Sequence, residues 1–236
     1  MKTTILIPTY NESGNIEPLI GRIFEFMPDA SILVIDDNSP DGTGIIVEKV
    51  ARTDPRVRLL SRTKKEGLGK AYLAGFTEVL QDPSIDFLIM MDADFSHDPS
   101  YIPVMLRATA NADVVIGSRY CRGGGTKGWA AWRRFLSGFA NRYCRLITGM
   151  PINDATAGFN LIRADILRDA DTVQLNLSGY AFQMELKYLL WKHKARFAEV
   201  PITFYERREG ESKISNHIIL EGIIAPWKMR FKTNKR

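Results

Sequence analysis

The stretch DFLIMMDADFSHDP, residues 86–99, joins a run of apolar residues to a cluster of acids. The apolar run is short and shows no polar alternation, which is typical of a strand buried on both faces of a sheet. Asp92 and Asp94 follow it directly, with His97 and a third acid behind them. Because an α/β sheet binds its ligands beyond the carboxyl ends of its strands, we expect these carboxylates to lie at a functional site.

Similar apolar runs recur along the chain and alternate with segments of helical period. The predicted strands are TTILIP (3–8), SILVID (31–36), VRLLS (57–61), DFLIMMD (86–92) and ADVVIGS (112–118). The predicted helices between them span residues 15–27, 44–51, 67–80 and 99–109. This alternation predicts an α/β fold with a mostly parallel sheet and helices on both of its faces.

The second half of the chain is less regular. Residues 120–128, YCRGGGTKG, are predicted to form a flexible loop, residues 129–149 one or two amphipathic helices, and residues 155–163 a strand. A helix over 179–194, a long strand over 195–208 and a polar, then basic, C-terminal tail complete the prediction.

The charge of the chain is unevenly distributed. The 236 residues are 45% hydrophobic and 25% charged, which is ordinary for a soluble domain with a core of its own. The net charge is +5, yet no acid occurs between Val114 and Asn153 or after Glu221. These basic segments favour an anionic partner: phosphates, nucleic acid or a membrane surface. Two cysteines favour a reducing compartment, and no apolar stretch reaches the roughly 18 residues that cross a bilayer.

Acids dominate the carboxyl ends of the predicted strands. The first strand ends in PTYNE, the second in DDNSPD, the fourth in DADFSH and the fifth in GSRY. Carboxylates that meet at one edge repel one another unless a cation or many hydrogen-bond donors lie among them. A divalent cation with oxygen ligands, Mg²⁺ or Mn²⁺, meets this need, and basic residues from later segments would then face phosphates.

Each motif alone also has an ordinary structural interpretation. A D-x-D pair is common by chance, DDNSPDGT can be turn chemistry, and GLGKA lacks the full spacing of a phosphate loop. A polar loop histidine is the safer interpretation of His97. Aromatic residues such as Trp129 and Trp132 are more often core than membrane contacts, but the arginines interleaved with them favour a surface.

Taken in order, the motifs resemble those of glycosyltransferase family 2, and within it the dolichol-phosphate mannose synthase group. The likeness runs from near the start of the chain to about Lys213. It is carried by IPTYNE, IDDNSPDGT, GLGKAYLAGF, MDADFSHDP, GSRY, WRRFLSGFANRYCRLITG, DATAGFNLIR, GYAFQMEL and VPITFYERREGESK. The resemblance implies a GT-A type, Rossmann-like domain over residues 1–215 with amphipathic interface helices, then a basic tail over residues 216–236.

The resemblance also implies roles for individual residues. Those implied to line a nucleotide pocket are Pro8, Tyr10, Glu12, Ile35, Asp37, Asp92 and Ala93. Asp94 is the implied main ligand of a Mg²⁺ or Mn²⁺ ion, with Asp92 and Ser96 beside it; the family often has Gln at the position of Ser96. Arg119 is implied to meet phosphate near the transfer point, and the basic residues implied to contact the donor diphosphate or the acceptor phosphate are Arg133 or Arg134, Arg207 and Lys213.

The implied activity is inverting transfer of mannose from GDP-mannose to a polyprenyl monophosphate at a membrane surface. This acceptor is anionic near neutral pH and needs no strong general base, which agrees with the lack of an obvious base among the motifs. The expected partners are the nucleotide-sugar donor, the lipid acceptor and the cytoplasmic face of a membrane, contacted peripherally. A small membrane-protein subunit stays an open alternative, and nucleic acid is not expected as a partner.

Other functions stay open at this point. UDP-glucose or UDP-N-acetylglucosamine could replace GDP-mannose, with a lipid phosphate or a saccharide as acceptor. A nucleotidyltransferase also uses paired acids, but its glycine-rich basic first loop has no counterpart in the acidic IPTYNESGN (7–15). A non-catalytic module that binds lipid headgroups would not need DAD, DD and GSRY together.

Overall fold

The structure is a computed structural model that describes residues 1–170, 172, 175, 179–206 and 216–232. The strands are β1 (Thr3–Thr9), β2 (Ser31–Asp36), β3 (Val57–Ser61), β4 (Phe87–Met90), β5 (Val114–Ser118), β6 (Gly125–Lys127), β7 (Asn160–Arg163), β8 (Phe197–Pro201) and β9 (Thr203–Tyr205). The helices are α1 (Ile16–Phe26), α2 (Thr43–Thr53), α3 (Leu68–Val79), α4 (Ile102–Ala108), α5 (Ala131–Thr148), α6 (Ala164–Asp169), α7 (Gly179–Lys192) and α8 (Asn216–Lys232). A short 3-10 helix, Pro99–Tyr101, leads into α4.

Within the described residues, seven strands form one sheet in the order β3-β2-β1-β4-β7-β5-β8. β7 runs antiparallel to β4 and β5, and every other neighbouring pair in this sheet is parallel. β6 and β9 pair separately as a parallel two-stranded ribbon. The predicted α/β fold with a mostly parallel sheet is confirmed.

The sheet is buried on both faces because helices cover each side. Alternate residues of β2 point to opposite sides: Leu33 and Ile35 belong to one apolar cluster, and Ile32 and Val34 to the other. The first cluster includes residues of α3, α5, α6, α7 and α8, and the second includes residues of α1, α2 and α4. Burial on both faces explains why the strands appear in the sequence as unbroken apolar runs.

The long strand predicted over residues 195–208 is divided at Ile202. Its first part, β8, extends the main sheet beside β5, and its second part, β9, pairs with β6. Ile202 is buried between them: its N–H donates to the Ser118 carbonyl (3.0 Å), and its own carbonyl accepts from the Gly125 N–H (2.9 Å). The strand β6 therefore lies inside the segment predicted as a loop.

The irregular segment before β7 also differs from the prediction. Only residues 160–163 of the predicted strand over 155–163 are extended in the sheet, and α6 follows them without having been predicted. Residues 154–159 form a largely buried loop at the sheet edge where β1, β2, β4 and β5 end.

Helix α8 occupies much of the region predicted as a basic tail. Ala225 and Met229 are buried where α8 packs on α5 and α7. The Arg230 guanidinium donates to the Ile147 carbonyl at the end of α5. No helix in the described part of the chain is both long and apolar enough to cross a membrane. The domain boundary after residue 215 stays a prediction.

Gly124 leaves no room for a side chain. A Cβ atom there would lie 2.4 Å from the Ser118 carbonyl oxygen and 3.0 Å from the Arg119 carbonyl carbon, whereas a Cβ on Gly125 would meet nothing within 4 Å. Gly124→Ala should therefore lower the free energy of unfolding by about 1–3 kcal/mol, because the backbone of Ser118 and Arg119 must shift. Gly125→Ala, the matched control, should stay within about 0.5 kcal/mol of the wild type. Urea titration measures both, and equal stability of the two variants would contradict the packing described.

Candidate active site

The predicted site residues collect at one edge of the sheet. The parallel strands β1, β2, β4 and β5 end there, and antiparallel β7 begins there. Asn11, Asn38 and Phe95 follow β1, β2 and β4 with φ angles of 62°, 57° and 60°. Such a backbone is costly for residues other than glycine, most of all for a bulky one, and it clusters at functional sites.

Hydrogen bonds tie the loops after β1 and β2 together. The Asp36 carboxylate accepts from the Thr9 hydroxyl (2.9 Å) and the Ser39 N–H (2.9 Å). Asp41, in the loop after β2, accepts from the N–H of Ser13, in the loop after β1 (2.9 Å). Burial acts to raise the pKa of Asp41, but donated hydrogen bonds, that of Ser13 among them, lower it to about 2. Two acids of DDNSPDGT thus serve to hold the loops.

Asp37 forms an ion pair with Arg62, which lies just after β3. Arg62 Nη1 is 2.5 Å from Asp37 Oδ1, and its Nη2 donates to Glu66 (2.8 Å). Burial raises the pKa of the Asp37 carboxyl, and the Arg62 guanidinium counteracts that rise. Arg62 was not among the residues predicted from the sequence, although its place at the carboxyl end of a parallel strand is a usable signal.

The other residues implied to line a nucleotide pocket lie on or beside β1, β2 and β4: Pro8, Tyr10, Glu12, Ile35 and Ala93. Tyr10 is exposed, and the ammonium group of Lys65 lies 3.6 Å from the centre of its ring. Ile35 and Ala93 are buried in the apolar clusters, so their side chains lie in the core below the site and not on its surface. A nucleotide contact by any of these residues stays a prediction.

His97 is buried rather than a polar side chain on a loop surface. Its Nδ1 accepts from the Asp92 N–H (3.0 Å), and its Nε2 lies 4.0 Å from Asp92 Oδ2. Because Nδ1 is an acceptor, the proton of the neutral ring is on Nε2 and faces the Asp92 carboxylate. The ring stacks on Phe159 at 5.1 Å, and a Cβ atom on Gly158 would lie 3.1 Å from it. His97 therefore helps to orient Asp92.

Asp94 and Ser96 form a candidate cation site. The Asp94 carboxylate accepts from the Ser96 N–H at 3.0 Å, and the Ser96 hydroxyl is buried with no hydrogen-bond partner among the described residues. A buried hydroxyl oxygen beside a carboxylate suits a divalent cation that prefers oxygen ligands. The described residues contain no group of three His, Cys, Asp or Glu side chains placed to hold a metal. A cation held here would therefore need further ligands, such as phosphate oxygens.

A cavity of about 740 Å³ opens beside Asp94 and Phe95. Its walls include Gly21 and Arg22 of α1 on one side and Tyr205 of β9 on the other. This volume is within the range of small-molecule sites in proteins. Asp94 is only 6% exposed, yet it borders a space that can accept a ligand.

Arg119, just after β5, is buried in an ion pair with Asp154. Its Nε and Nη2 bond the two carboxylate oxygens at 2.8 and 2.7 Å, and its backbone N–H donates to the same carboxylate at 2.9 Å. Burial acts to raise the pKa of Asp154, but the charge of Arg119 holds it below its ordinary value. The guanidinium is therefore fixed in orientation. Its predicted contact with phosphate is not tested by this geometry.

Aromatic rings connect the acidic and basic parts of the site. Phe204 of β9 lies edge-on to His97 (5.6 Å) and to Trp129 (5.3 Å), and the Arg119 guanidinium is 5.5 Å from its ring centre. The Arg133 guanidinium lies over the Trp129 ring at 4.1 Å. Trp129 is buried between the two arginines, so it is not a candidate for membrane contact.

The remaining basic candidates are placed differently. Arg133 donates to Glu206 at 2.9 Å, whereas Arg134 is exposed on α5. Arg207 and Lys213 lie outside the residues that the structure describes. The structure thus connects Asp92 with Arg119 and Arg133 through His97, Phe204 and Trp129, and Asp94 lies near Asp92 on the same loop. Neither aromatic residue carried a signal for this role in the sequence.

Comparison with known proteins gives consistent sequence matches. The model for Glycosyl transferase family 2 matches residues 4–170. The chain is 42% identical to the Undecaprenyl-phosphate mannosyltransferase of Micrococcus luteus, over 95% of this chain and 92% of that protein. It is also 42% identical to the Polyprenol monophosphomannose synthase of Mycolicibacterium smegmatis, over 99% of this chain and 89% of that protein.

Solved structures share the fold. A crystal structure of glucosyl-3-phosphoglycerate synthase from Mycobacterium tuberculosis with phosphoglyceric acid matches with a TM-score of 0.68, covering 98% of this chain and 80% of that chain at 15% identity. Its complex with Mn²⁺, UDP and phosphoglyceric acid matches with a TM-score of 0.67, covering 97% and 78% at 16% identity. At such identities the likeness concerns the fold alone, and the predicted GT-A type fold is confirmed.

Asp37→Asn should weaken the binding of a nucleoside diphosphate by about tenfold or more, because a carboxylate that accepts nucleotide hydrogen bonds is worth roughly 1.5–3 kcal/mol. The loss should appear mostly in KM for the donor and leave kcat near the wild-type value. Glu66→Gln is the matched control, because it removes only the more exposed partner of Arg62. Calorimetric titration measures the affinities. Unchanged affinity in a folded Asp37→Asn variant would place the nucleotide elsewhere.

Proposed function

The chain belongs to glycosyltransferase family 2, and we propose that it transfers mannose from GDP-mannose to a polyprenyl monophosphate. The observation that carries this proposal is the 42% identity, over nearly the whole chain, to two proteins named as polyprenyl-phosphate mannose transferases. The geometry supports it independently, because one sheet edge combines acids suited to a cation with arginines suited to phosphates.

On the donor side, the proposal places the nucleotide at the ends of β1 and β2 and its diphosphate near Asp94. Asp94 and the Ser96 hydroxyl, with Asp92 beside them, are the residues that would hold a Mg²⁺ or Mn²⁺ ion. When bound, such an ion offsets the negative charge of the leaving diphosphate. His97 contributes by fixing the backbone of Asp92 and facing its carboxylate.

On the acceptor side, we assign Arg119 and Arg133 as the guanidinium groups that would face a phosphate; each also forms an ion pair within the protein, with Asp154 and Glu206. Both guanidinium groups lie against Trp129, and Asp154 holds the orientation of Arg119. An oxygen of the acceptor monophosphate attacks the anomeric carbon of the donor sugar. The bond between that carbon and the diphosphate oxygen breaks, and the nucleoside diphosphate leaves. Attack from the face opposite the leaving group inverts the anomeric centre. The protein therefore supplies alignment and charge, and no side chain needs to remove a proton.

We also propose that α5 and α8 contact the membrane that holds the lipid acceptor. Large apolar side chains of these helices that are at least two-fifths exposed are Trp132, Phe135, Phe139, Leu146, Ile223, Ile224, Trp227 and Phe231. The rings of Phe135, Phe139 and Tyr143 stack in sequence along α5. The Tyr143 hydroxyl accepts from Trp227 Nε1 at 2.7 Å, so one apolar surface continues from α5 to α8.

Exposed bases accompany this apolar surface: Arg134, Arg142, Arg145, Lys228 and Arg230. Neither α5 nor the part of α8 after Glu221 contains an acid. Aromatic and aliphatic side chains mixed with bases are typical of a helix that lies in the interface of an anionic bilayer. A surface of this kind would meet a polyprenyl phosphate without drawing its chain into water, which costs about 0.8 kcal/mol for each exposed CH₂.

Asp94→Asn should lower the rate of mannose transfer by about 100-fold or more while the melting temperature stays near that of the wild type. The neutral amide weakens the hold on the cation, and the charge stabilisation lost is worth several kcal/mol. Asp29→Asn, in an exposed turn at the opposite edge of the sheet, is the control and should transfer normally. The assay follows labelled mannose from GDP-mannose into a polyprenyl phosphate. Near wild-type transfer by Asp94→Asn would contradict the proposed site.

Phe135→Ser combined with Phe139→Ser should weaken binding to anionic liposomes by about a hundredfold or more, because each buried phenylalanine is worth roughly 1.5–3 kcal/mol. Ile45→Ser, which removes an exposed apolar side chain from α2, is the control and should bind normally. Sedimentation measures the bound fraction. The wild type should bind best at low salt, since each base adds about 1 kcal/mol that salt screens. If the wild-type protein does not bind anionic liposomes at low salt, the proposed membrane contact of α5 and α8 is wrong.

A further inference from the structure

The loop segment 154–158, just before β7, touches both parts of the candidate site. At its start, Asp154 binds the Arg119 guanidinium through both carboxylate oxygens. Near its end, Gly158 lies against the acidic part: a Cβ atom there would be in contact with Asp92 Oδ2, at 3.6 Å, and would press on the His97 ring, at 3.1 Å. A displacement of this segment would therefore change the position of Arg119 and the wall beside Asp92 at once.

The segment is irregular and buried, so its backbone carbonyls need donors other than those of a strand or helix. Ala155 and Ala157 are 1% and 3% exposed. Both of their carbonyl oxygens accept from the ammonium group of Lys187, at 3.3 and 2.7 Å. Lys187 thus binds two points of the segment with one side chain.

The position of Lys187 on α7 is matched by a second polar side chain. Gln183 lies four residues earlier, which places it on the same face of the helix. Its Oε1 accepts from Asn160 Nδ2 at 3.1 Å, and that amide also donates to the carbonyls of Ala157 and Gly158 at 3.1 Å each. One face of α7 therefore holds the segment through both residues.

Placing a lysine here is costly. Lys187 is 1% exposed, and burial of an ammonium group is unfavourable unless other groups compensate. Burial lowers its pKa to about 7, and the charge of Asp154 counteracts part of that shift. A methionine would fill similar space without the cost, but it would leave the two carbonyls without this donor. The arrangement therefore serves the geometry of the segment more than the stability of the core.

We propose that Lys187 is a positioning residue for the transfer reaction. Through the carbonyls of Ala155 and Ala157 it fixes segment 154–158, and through Asp154 it fixes the orientation of the Arg119 guanidinium. Lys187 itself touches no substrate. The inference rests on the proposed function, because the rate of that reaction is what the orientation of Arg119 governs.

The test compares Lys187→Met with Lys192→Met, a change at an exposed lysine of the same helix. In Lys187→Met, kcat should fall about tenfold to hundredfold, as small misplacements of an aligned group do. The affinity for nucleoside diphosphate should stay within about twofold, because the proposed nucleotide site at β1 and β2 is held by other contacts. The amides of Thr156 and Ala157 should exchange hydrogen about tenfold faster. Lys192→Met should match the wild type in every measurement.

Several outcomes would overturn the proposal. Unchanged kcat in a folded Lys187→Met variant would remove the positioning role, and a parallel loss of kcat and nucleotide affinity would indicate general damage to the fold.

A second variant, Lys187→Gln, keeps a donor group and should recover part of the rate. Failure of both variants to fold would make Lys187 a folding residue instead. If the wild type transfers no mannose, the proposed function fails; the exchange rates of Thr156 and Ala157 then test whether Lys187 holds segment 154–158, and unchanged rates in Lys187→Met would overturn that as well.

Discussion

Carboxylates converge on one edge of a mostly parallel sheet, and the rest of the site depends on how their mutual repulsion is relieved. Such a gathering is unfavourable in a partly dehydrated environment unless each acid has donors or a cation. Asp36 is satisfied by loop hydroxyl and amide groups, Asp37 by Arg62, and Asp154 by Arg119. The two arginines come from neighbouring elements and offset the charge of Asp37 and Asp154. The two acids that follow β4, Asp92 and Asp94, lie instead near the buried hydroxyl of Ser96.

The arginines are organised by the same edge. Arg119 is fixed by a carboxylate on one side and by aromatic rings on the other, and Arg133 shares the ring of Trp129. Phe204 reaches this cluster because β9 leaves the main sheet and pairs with β6. The small ribbon thereby brings two segments of distant sequence position against the acids of β4. Fixed hydrogen-bond donors of this kind need no reorganisation when negative charge develops in a reaction.

Local patterns in the sequence predicted the strands of the first half, their order of alternation with helices, and the acids at their ends. Those features depend on neighbouring residues, so periodicity reveals them. The ribbon of β6 and β9, the pairing of Arg119 with Asp154, and the docking of α8 depend on partners far apart in the chain. The burial of His97 was not predicted, because the rings that pack against it, Phe159 and Phe204, lie far from it in the sequence and no local pattern connects them to it.

The most direct test of the central claim is the identity and configuration of the product. Purified protein is incubated with Mn²⁺, a polyprenyl monophosphate and either GDP-mannose or UDP-glucose, and the lipid product is analysed by NMR of its anomeric centre. The account predicts a mannosyl phosphate lipid formed from GDP-mannose, with the configuration inverted from α in the donor to β in the product. Formation of an α-linked product, or transfer from UDP-glucose in place of GDP-mannose, would contradict it.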